Sequence, residues 1–228
     1  MRSVRIAPSL LSADFARLAD DIALCEAGGA SALHVDVMDG RFVPNLTFGA
    51  KVIEAARRCT ALPLDVHLMV VEPERYFDAF AAAGATVITV HAEAVPHLDR
   101  QLAHIRELGC EAGVAVNPGT PLAAVEEAVG GGAVDLLLVM TVNPGFGGQR
   151  FIPYTLDKVA RARRLLDAAR SGAALQVDGG VARETIAACR RAGADTFVAG
   201  QAVFGASDPR AEIGALRHEA ERAAEVAA

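Results

Sequence analysis

The chain has 228 residues, 52% of them hydrophobic and 22% charged, with a formal net charge of −6. That length can carry one large core, and that composition excludes a disordered chain. The acidic balance argues against nucleic acid or an anionic membrane as partner, because both reward basic patches.

Taken in order, the chain repeats one rhythm. A short β-branched run ends in a polar or glycine-rich turn, and an Ala/Leu/Arg/Glu segment of helical period follows. Strands are expected over 5–9, 32–37, 63–69, 86–91, 111–117, 136–141, 174–178 and 196–199. Helices are expected near 14–27, 49–58, 73–83, 97–108, 121–129, 154–169, 183–192 and 209–224. Ser12 reads as the first N-cap, and Thr120-Pro121 and Asp208-Pro209 as an N-cap followed by a first-turn proline. Gly28, Gly84, Gly109, Gly130 and Gly193 read as helix-ending glycines.

Eight strand–helix units without a linker or composition break point to one domain over 1–228, an α/β single (β/α)8 TIM barrel. A doubly wound open sheet would also alternate, but eight evenly spaced units favour closure. Glu225-Val226-Ala227-Ala228 read as a fraying helix end. No run of about 18 apolar residues appears, and the first residues lack the apolar segment of a secretory signal, so a cytoplasmic protein is expected. Cys25, Cys59, Cys110 and Cys189 are scattered and read as small apolar packing residues in a reducing compartment.

The most informative stretch is Leu33-His34-Val35-Asp36-Val37-Met38. In a strand, residues i and i+2 share a face, so His34, Asp36 and Met38 point one way and the valines the other. Leu64-Asp65-Val66-His67-Leu68-Met69 copies the pattern. In barrels of this class the active site lies at the C-terminal strand ends, where Ser9, His67, His91, Asn117, Met140 and Asp178 also fall. His34, Asp36, His67 and Asp178 form a candidate site for one divalent cation, and an N/O donor set suits Zn²⁺, Fe²⁺, Mn²⁺ or Co²⁺. His91 reads as a support behind that set, Asp39 and Asp65 as turn and support residues, and His97, His104 and His218 as solvated helix residues.

Asp36 and Asp178 come from opposite sides of the barrel mouth. Two carboxylates flanking one carbon suit inversion of a C–H centre, one removing the proton and the other delivering one from behind. Met38, Met69 and Met140 all sit at strand ends and read as a flexible apolar lining rather than a plug. Glycine-rich turns follow strand 6 (Asn143-Pro-Gly-Phe-Gly-Gly-Gln149), strand 7 (Gly179-Gly180) and strand 8 (Gly200-Gln201). Backbone N–H groups in such turns can cradle a phosphate. The loop after strand 6 could also act as a lid.

These segments resemble the ribulose-phosphate 3-epimerase family of ribulose-phosphate-binding barrels. The resembling stretches are Ala7-Pro-Ser-Leu-Leu-Ser-Ala-Asp14, His34-Val-Asp-Val-Met-Asp-Gly40, Phe42-Val-Pro-Asn-Leu-Thr-Phe-Gly49, Asp65-Val-His-Leu-Met69, Val142-Asn-Pro-Gly-Phe-Gly-Gly-Gln149, Val177-Asp-Gly-Gly180 and Val198-Ala-Gly200. The resemblance implies interconversion of D-ribulose 5-phosphate and D-xylulose 5-phosphate through a 2,3-enediolate. It makes Asp36 the proton acceptor and Asp178 the donor in one direction, with His34, Asp36, His67 and Asp178 on the metal. It also implies substrate contacts from Ser9, His67, Gly145, Phe146, Gly147, Gly148, Asp178, Gly179, Gly180, Gly200 and Gln201. A homo-oligomer acting on a small sugar phosphate, without nucleic acid or membrane, is the expected assembly.

One departure stands out: the family usually has serine where this chain has Gln201. A six-carbon ketose phosphate such as allulose 6-phosphate is the alternative substrate for the same carboxylate pair. A lysine-using lyase on this barrel is disfavoured, since Lys51 and Lys158 fall in helices rather than at strand ends. A non-catalytic sugar-phosphate binder would have no reason to keep every acid and histidine on the rim.

Overall fold

The computed structural model describes residues 3–225. The frayed end expected at 226–228 lies outside them. Eight strands form one parallel sheet: β1 Arg5–Pro8, β2 Leu33–Met38, β3 Leu64–Met69, β4 Val87–His91, β5 Glu111–Val116, β6 Leu136–Met140, β7 Ala174–Asp178 and β8 Thr196–Ala199. They run in the order β1-β8-β7-β6-β5-β4-β3-β2, so β1 and β2 are the two edges. Those edges meet: Ser31 N–H donates to Ile6 O at 2.8 Å, and Ser9 bridges His34 in parallel register. The sheet is therefore a nearly closed (β/α)8 barrel.

The outer wall is apolar because the helices pack on it. Leu33, Val35 and Val37 of β2 and Leu64, Val66 and Leu68 of β3 join one large buried cluster with Ile22, Ile53, Leu102, Val159 and Ile186 from the helices. Burying each such side chain contributes about 1.5–3 kcal/mol relative to exposure. The barrel interior holds a smaller apolar cluster of Val87, Ala115, Leu136, Leu138, Met140, Val142 and Ala174. Strands covered on both faces usually read as continuous apolar runs. β2 and β3 alternate instead, because their inward positions carry the polar site.

The helices are α1 Leu18–Ala27, α2 Ala50–Cys59, α3 Phe77–Ala82, α4 Leu98–Glu107, α5 Glu126–Gly130, α6 Thr155–Ala168, α7 Arg183–Arg191, α8 Gln201–Phe204 and α9 Pro209–Glu225. Three expected helix starts are instead separate 3-10 turns, at Phe15–Arg17, Pro73–Arg75 and Leu122–Ala124. Ser12 caps nothing at α1, since Ser9 accepts from Leu11 N–H and Asp14 from Ala16 N–H. Pro121 is extended (φ −70°, ψ 149°), so it precedes its turn rather than opening a helix. Gly28 follows the end of α1 as expected, whereas Gly130 is still the last residue of α5; the left-handed residues there are Gly29 and Gly132, and Gly84, Gly109 and Gly193 are left-handed themselves. Cys25, Cys110 and Cys189 are buried, but Cys59 is exposed at the end of α2. No described helix is long and apolar enough to cross a membrane.

Candidate active site

Register brings the polar residues of β2 and β3 into one layer. His34 lies opposite Asp65, Asp36 opposite His67, and Met38 opposite Met69. Across the barrel, Asp178 ends β7. One donor atom from each of His34, Asp36, His67 and Asp178 lies within 4.8 Å of the other three, a group that could hold a metal ion.

The hydrogen bonds behind this group decide what each ring offers. Asp65 Oδ2 lies 2.8 Å from His34 Nδ1 and also accepts from Gln176 Nε2 at 2.6 Å. An ionised carboxylate only accepts, so His34 Nδ1 donates and its Nε2 turns into the site. That Nε2 is buried with no hydrogen-bond partner among the described residues, 3.3 Å from Asp36 Oδ1 and 3.9 Å from Asp178 Oδ2. His67 directs Nδ1 into the same space, 3.1 Å from Asp36 Oδ1 and 3.7 Å from Asp178 Oδ2. Its other nitrogen, Nε2, is 2.9 Å from His91 Nε2. Ser9 Oγ donates to the remaining oxygen, Asp36 Oδ2, at 2.6 Å. Two imidazole nitrogens and two carboxylates thus converge around a small volume, an arrangement that favours positive charge at its centre. A carboxylate behind a ligating histidine is the common support of a metal ligand.

The electrostatics divide the two acids. Burial raises the pKa of Asp178, and the neighbouring Asp36 carboxylate raises it further, to about 7. Burial also opposes ionisation of Asp36, yet His34 and His67 beside it outweigh that and hold the carboxyl below its usual range. Burial likewise opposes charge on His34, but Asp36 and Asp65 lift its pKa well above the ordinary value. Burial lowers His67 against the pull of Asp36. Carboxylates pushed apart in this way are the mark of an acid and a base in one site.

Asp36 and Asp178 both line a cavity of about 560 Å³ at the C-terminal mouth, together with Ser9, Met38, Met69 and Met140. His34 and His67 are fully buried and lie beneath this wall rather than in it. Gly145, Phe146, Gly147 and Gly148 line the cavity from the loop after β6, Gly179 and Gly180 from the turn after β7, and Gly200 and Gln201 from the start of α8. Gln149 Nε2 pins the β6 loop by donating to Asn143 O at 2.7 Å and Phe146 O at 2.9 Å.

Two of these glycines admit no side chain. Gly179 (φ +117°) would set a Cβ 2.4 Å from Val142 Cγ2, and Gly180 (φ +65°) one 2.5 Å from Phe151 N. Thr141 Oγ1 donates to Asp178 O at 2.8 Å and to Gly179 O at 2.5 Å. In a trans peptide the N–H points away from the C=O, so Gly179 and Gly180 turn their N–H groups away from Thr141. The Gln201 side chain folds along α8, with Nε2 2.5 Å from where Gly205 would carry a Cβ.

Three supporting residues escaped the sequence reading: Gln176 on Asp65, Thr141 on the Asp178 turn, and Glu93, whose Oε2 lies 3.2 Å from His91 Nδ1. Lys158 is in α6 as expected, but its amine reaches the end of β5 and donates to Asn117 O, Pro118 O and Thr120 O at 2.6–2.8 Å. Three carbonyls saturate it, so it offers no free amine. Asp39 is the turn residue expected, accepting from Arg41, Phe42 and Val71 N–H. His97 and His218 are exposed, and His104 pairs with Asp78 at the surface.

A family model described as the ribulose-phosphate 3 epimerase family matches residues 5–204. The ribulose-phosphate 3-epimerase of Bacillus subtilis (strain 168) is 50% identical over 215 residues, covering 94% of this chain and 98% of that protein. That of Escherichia coli (strain K12) is 49% identical over 220 residues, covering 96% and 97%. Among solved structures, KGPDC from Streptococcus mutans in complex with D-R5P superposes with a TM-score of 0.72 at 15% identity, covering 96% of this chain and 98% of that one. A 3-hexulose-6-phosphate synthase gives 0.65 at 22% identity, covering 96% and 99%. These two likenesses carry the fold alone.

Proposed function

The chain belongs to the ribulose-phosphate 3-epimerase family, a family of isomerases, and from that premise we propose how its site works. The substrate is a small sugar phosphate, D-ribulose 5-phosphate or D-xylulose 5-phosphate. Asp36, the acid held ionised, removes the proton from C3 of one epimer. Asp178, whose carboxyl burial and the neighbouring Asp36 make the more basic of the two, returns a proton to C3 from the opposite side. The C–H bond broken on one face is replaced by one on the other, and the acids exchange roles in reverse. A divalent cation held by His34, Asp36, His67 and Asp178 supplies Lewis-acid stabilisation for the negative charge of the 2,3-enediolate. The orphaned Nε2 of His34, aimed at two carboxylates, is the observation that supports such an ion.

Ser9 holds Asp36 through the 2.6 Å bond and meets the substrate beside it. Met38, Met69 and Met140 cover the reacting carbon with an apolar, polarisable lining that keeps water from the enediolate. The N–H groups of Gly147, Gly148, Gly179, Gly180, Gly200 and Gln201 receive the phosphate, and Gly145 and Phe146 close over it. Gln201 contributes its backbone only, its side chain lying along α8.

The observation that carries this reading is that Asp36 and Asp178 line one cavity at the barrel mouth and converge there with His34 and His67, their donor atoms within 4.8 Å of one another. Its test is metal analysis of the purified protein beside a ribulose 5-phosphate assay, with allulose 6-phosphate in parallel. Turnover of the pentose phosphate with about one divalent ion per chain is expected. Turnover of the hexose phosphate alone, or of neither, overturns the assignment.

A further inference from the structure

Behind His67 runs a line of contacts that the proton transfers do not use. His67 Nε2 is 2.9 Å from His91 Nε2, and His91 Nδ1 is 3.2 Å from Glu93 Oε2. Both rings are fully buried. The second oxygen of Glu93 is engaged elsewhere: Oε1 accepts from Asn117 N–H at 2.8 Å and from the Thr120 hydroxyl.

Proton counting orders the line. A carboxylate only accepts, so the hydrogen of a neutral His91 sits on Nδ1. Its Nε2 is then bare and can only accept. Two nitrogens 2.9 Å apart share one hydrogen, so that hydrogen belongs to His67 Nε2. With a cation between His67 Nδ1 and the carboxylates of Asp36 and Asp178, 3.1 and 3.7 Å away, that nitrogen has to present a lone pair, and a hydrogen on Nε2 leaves it one. We propose that Glu93 is a positioning residue that sets the tautomers of His91 and His67 in series, so that His67 meets a divalent cation as a neutral, correctly turned ligand. This rests on the cation-holding reading of the site given above.

The β5 loop makes the idea testable with one atom. In Glu93→Gln, Asn117 N–H still demands an acceptor at the Oε1 position, so the amide oxygen goes there and the NH₂ falls on His91 Nδ1. That nitrogen must now accept. The His91 hydrogen moves to Nε2 and points at the hydrogen on His67 Nε2. Either that contact is lost or His67 carries its hydrogen on Nδ1, inside the site, where it opposes a cation.

The probe is Zn²⁺, its affinity measured by chelator competition without substrate, with ¹⁵N NMR reporting the His91 and His67 tautomers. Glu93→Gln is expected to bind Zn²⁺ about 10- to 100-fold more weakly, the scale for losing a support behind a ligating histidine. Thr120→Val removes a hydroxyl from Glu93 while sparing the His91 contact, and is expected to keep wild-type affinity. Unchanged affinity in Glu93→Gln, or an equal loss in Thr120→Val, overturns the proposal. Zinc-loaded wild type is expected to show His91 protonated on Nδ1; protonation on Nε2 overturns the proposal even if the variant fails to fold. Wild type that binds no Zn²⁺ through His67 overturns the cation reading beneath it.

Discussion

Replacing Asp178 by Asn removes one proton carrier while keeping the shape of the site. The side chain is mostly buried, and its Oδ2 lies 3.9 Å from His34 Nε2 and 3.7 Å from His67 Nδ1. An amide of the same size fills that space without a cavity. What it lacks is a transferable proton, and Asp36, held by Ser9, is the one acid left to work on C3. A positioned acid or base contributes about 10²–10⁴ in rate, and each tenfold is about 1.4 kcal/mol of barrier. The loss should therefore be at least about hundredfold, or about 3 kcal/mol, in both directions. Because Asp36 remains, the epimer it serves should still exchange its C3 hydrogen with deuterated water without inverting. The assay is kcat/KM in each direction, with NMR of C3 exchange in the recovered substrate. Near wild-type turnover, or equal loss of exchange from both epimers with the cation still bound, would refute the division of labour between the acids.

Other expectations follow from the same geometry. Gly180→Ala forces a left-handed residue, costing about 1–2 kcal/mol, and drives a Cβ against Phe151 N; KM should rise well above its wild-type value in steady-state assays. Removing the cation with a chelator should lower the thermal midpoint by several degrees. An ion at a hundred times its Kd stabilises by about 2.7 kcal/mol, and each kcal/mol shifts a chain of this size by about 2–4 °C. An unchanged midpoint in scanning calorimetry would speak against a resident ion. Lys158→Met leaves three carbonyls without their donor and should cost about 2–4 kcal/mol, measured by urea unfolding; an unchanged midpoint would deny the clamp.

Much of this site could be read before any coordinates because the strand period is two. Alternation alone puts His34, Asp36 and Met38 on one face of β2, and the same pattern in β3 places Asp65, His67 and Met69 beside them. Repeated strand–helix units then carry Asp178 round the barrel to face them. What local pattern cannot show is contact between distant positions. Gln176 reaches Asp65 across 111 residues, and Lys158 reaches back 41 residues to Asn117. The pair His91/Glu93 has the same i,i+2 spacing as His34/Asp36 and could have been found by that signal. Helix entries differ from the expected ones for a local reason: Ser9 and Asp14 satisfy early N–H groups in short 3-10 turns, which propensity reads as one continuous helix. Cys59 reads as a packing residue by composition, yet it stands exposed in the last turn of α2.

The most direct measurement is to run wild-type protein with ribulose 5-phosphate in deuterated water and read C3 of the xylulose 5-phosphate formed. Transfer between two carboxyl groups that equilibrate with solvent predicts deuterium at that carbon after one turnover. Product that keeps the original hydrogen there would contradict the account, because no pair of acids on opposite faces could have delivered it.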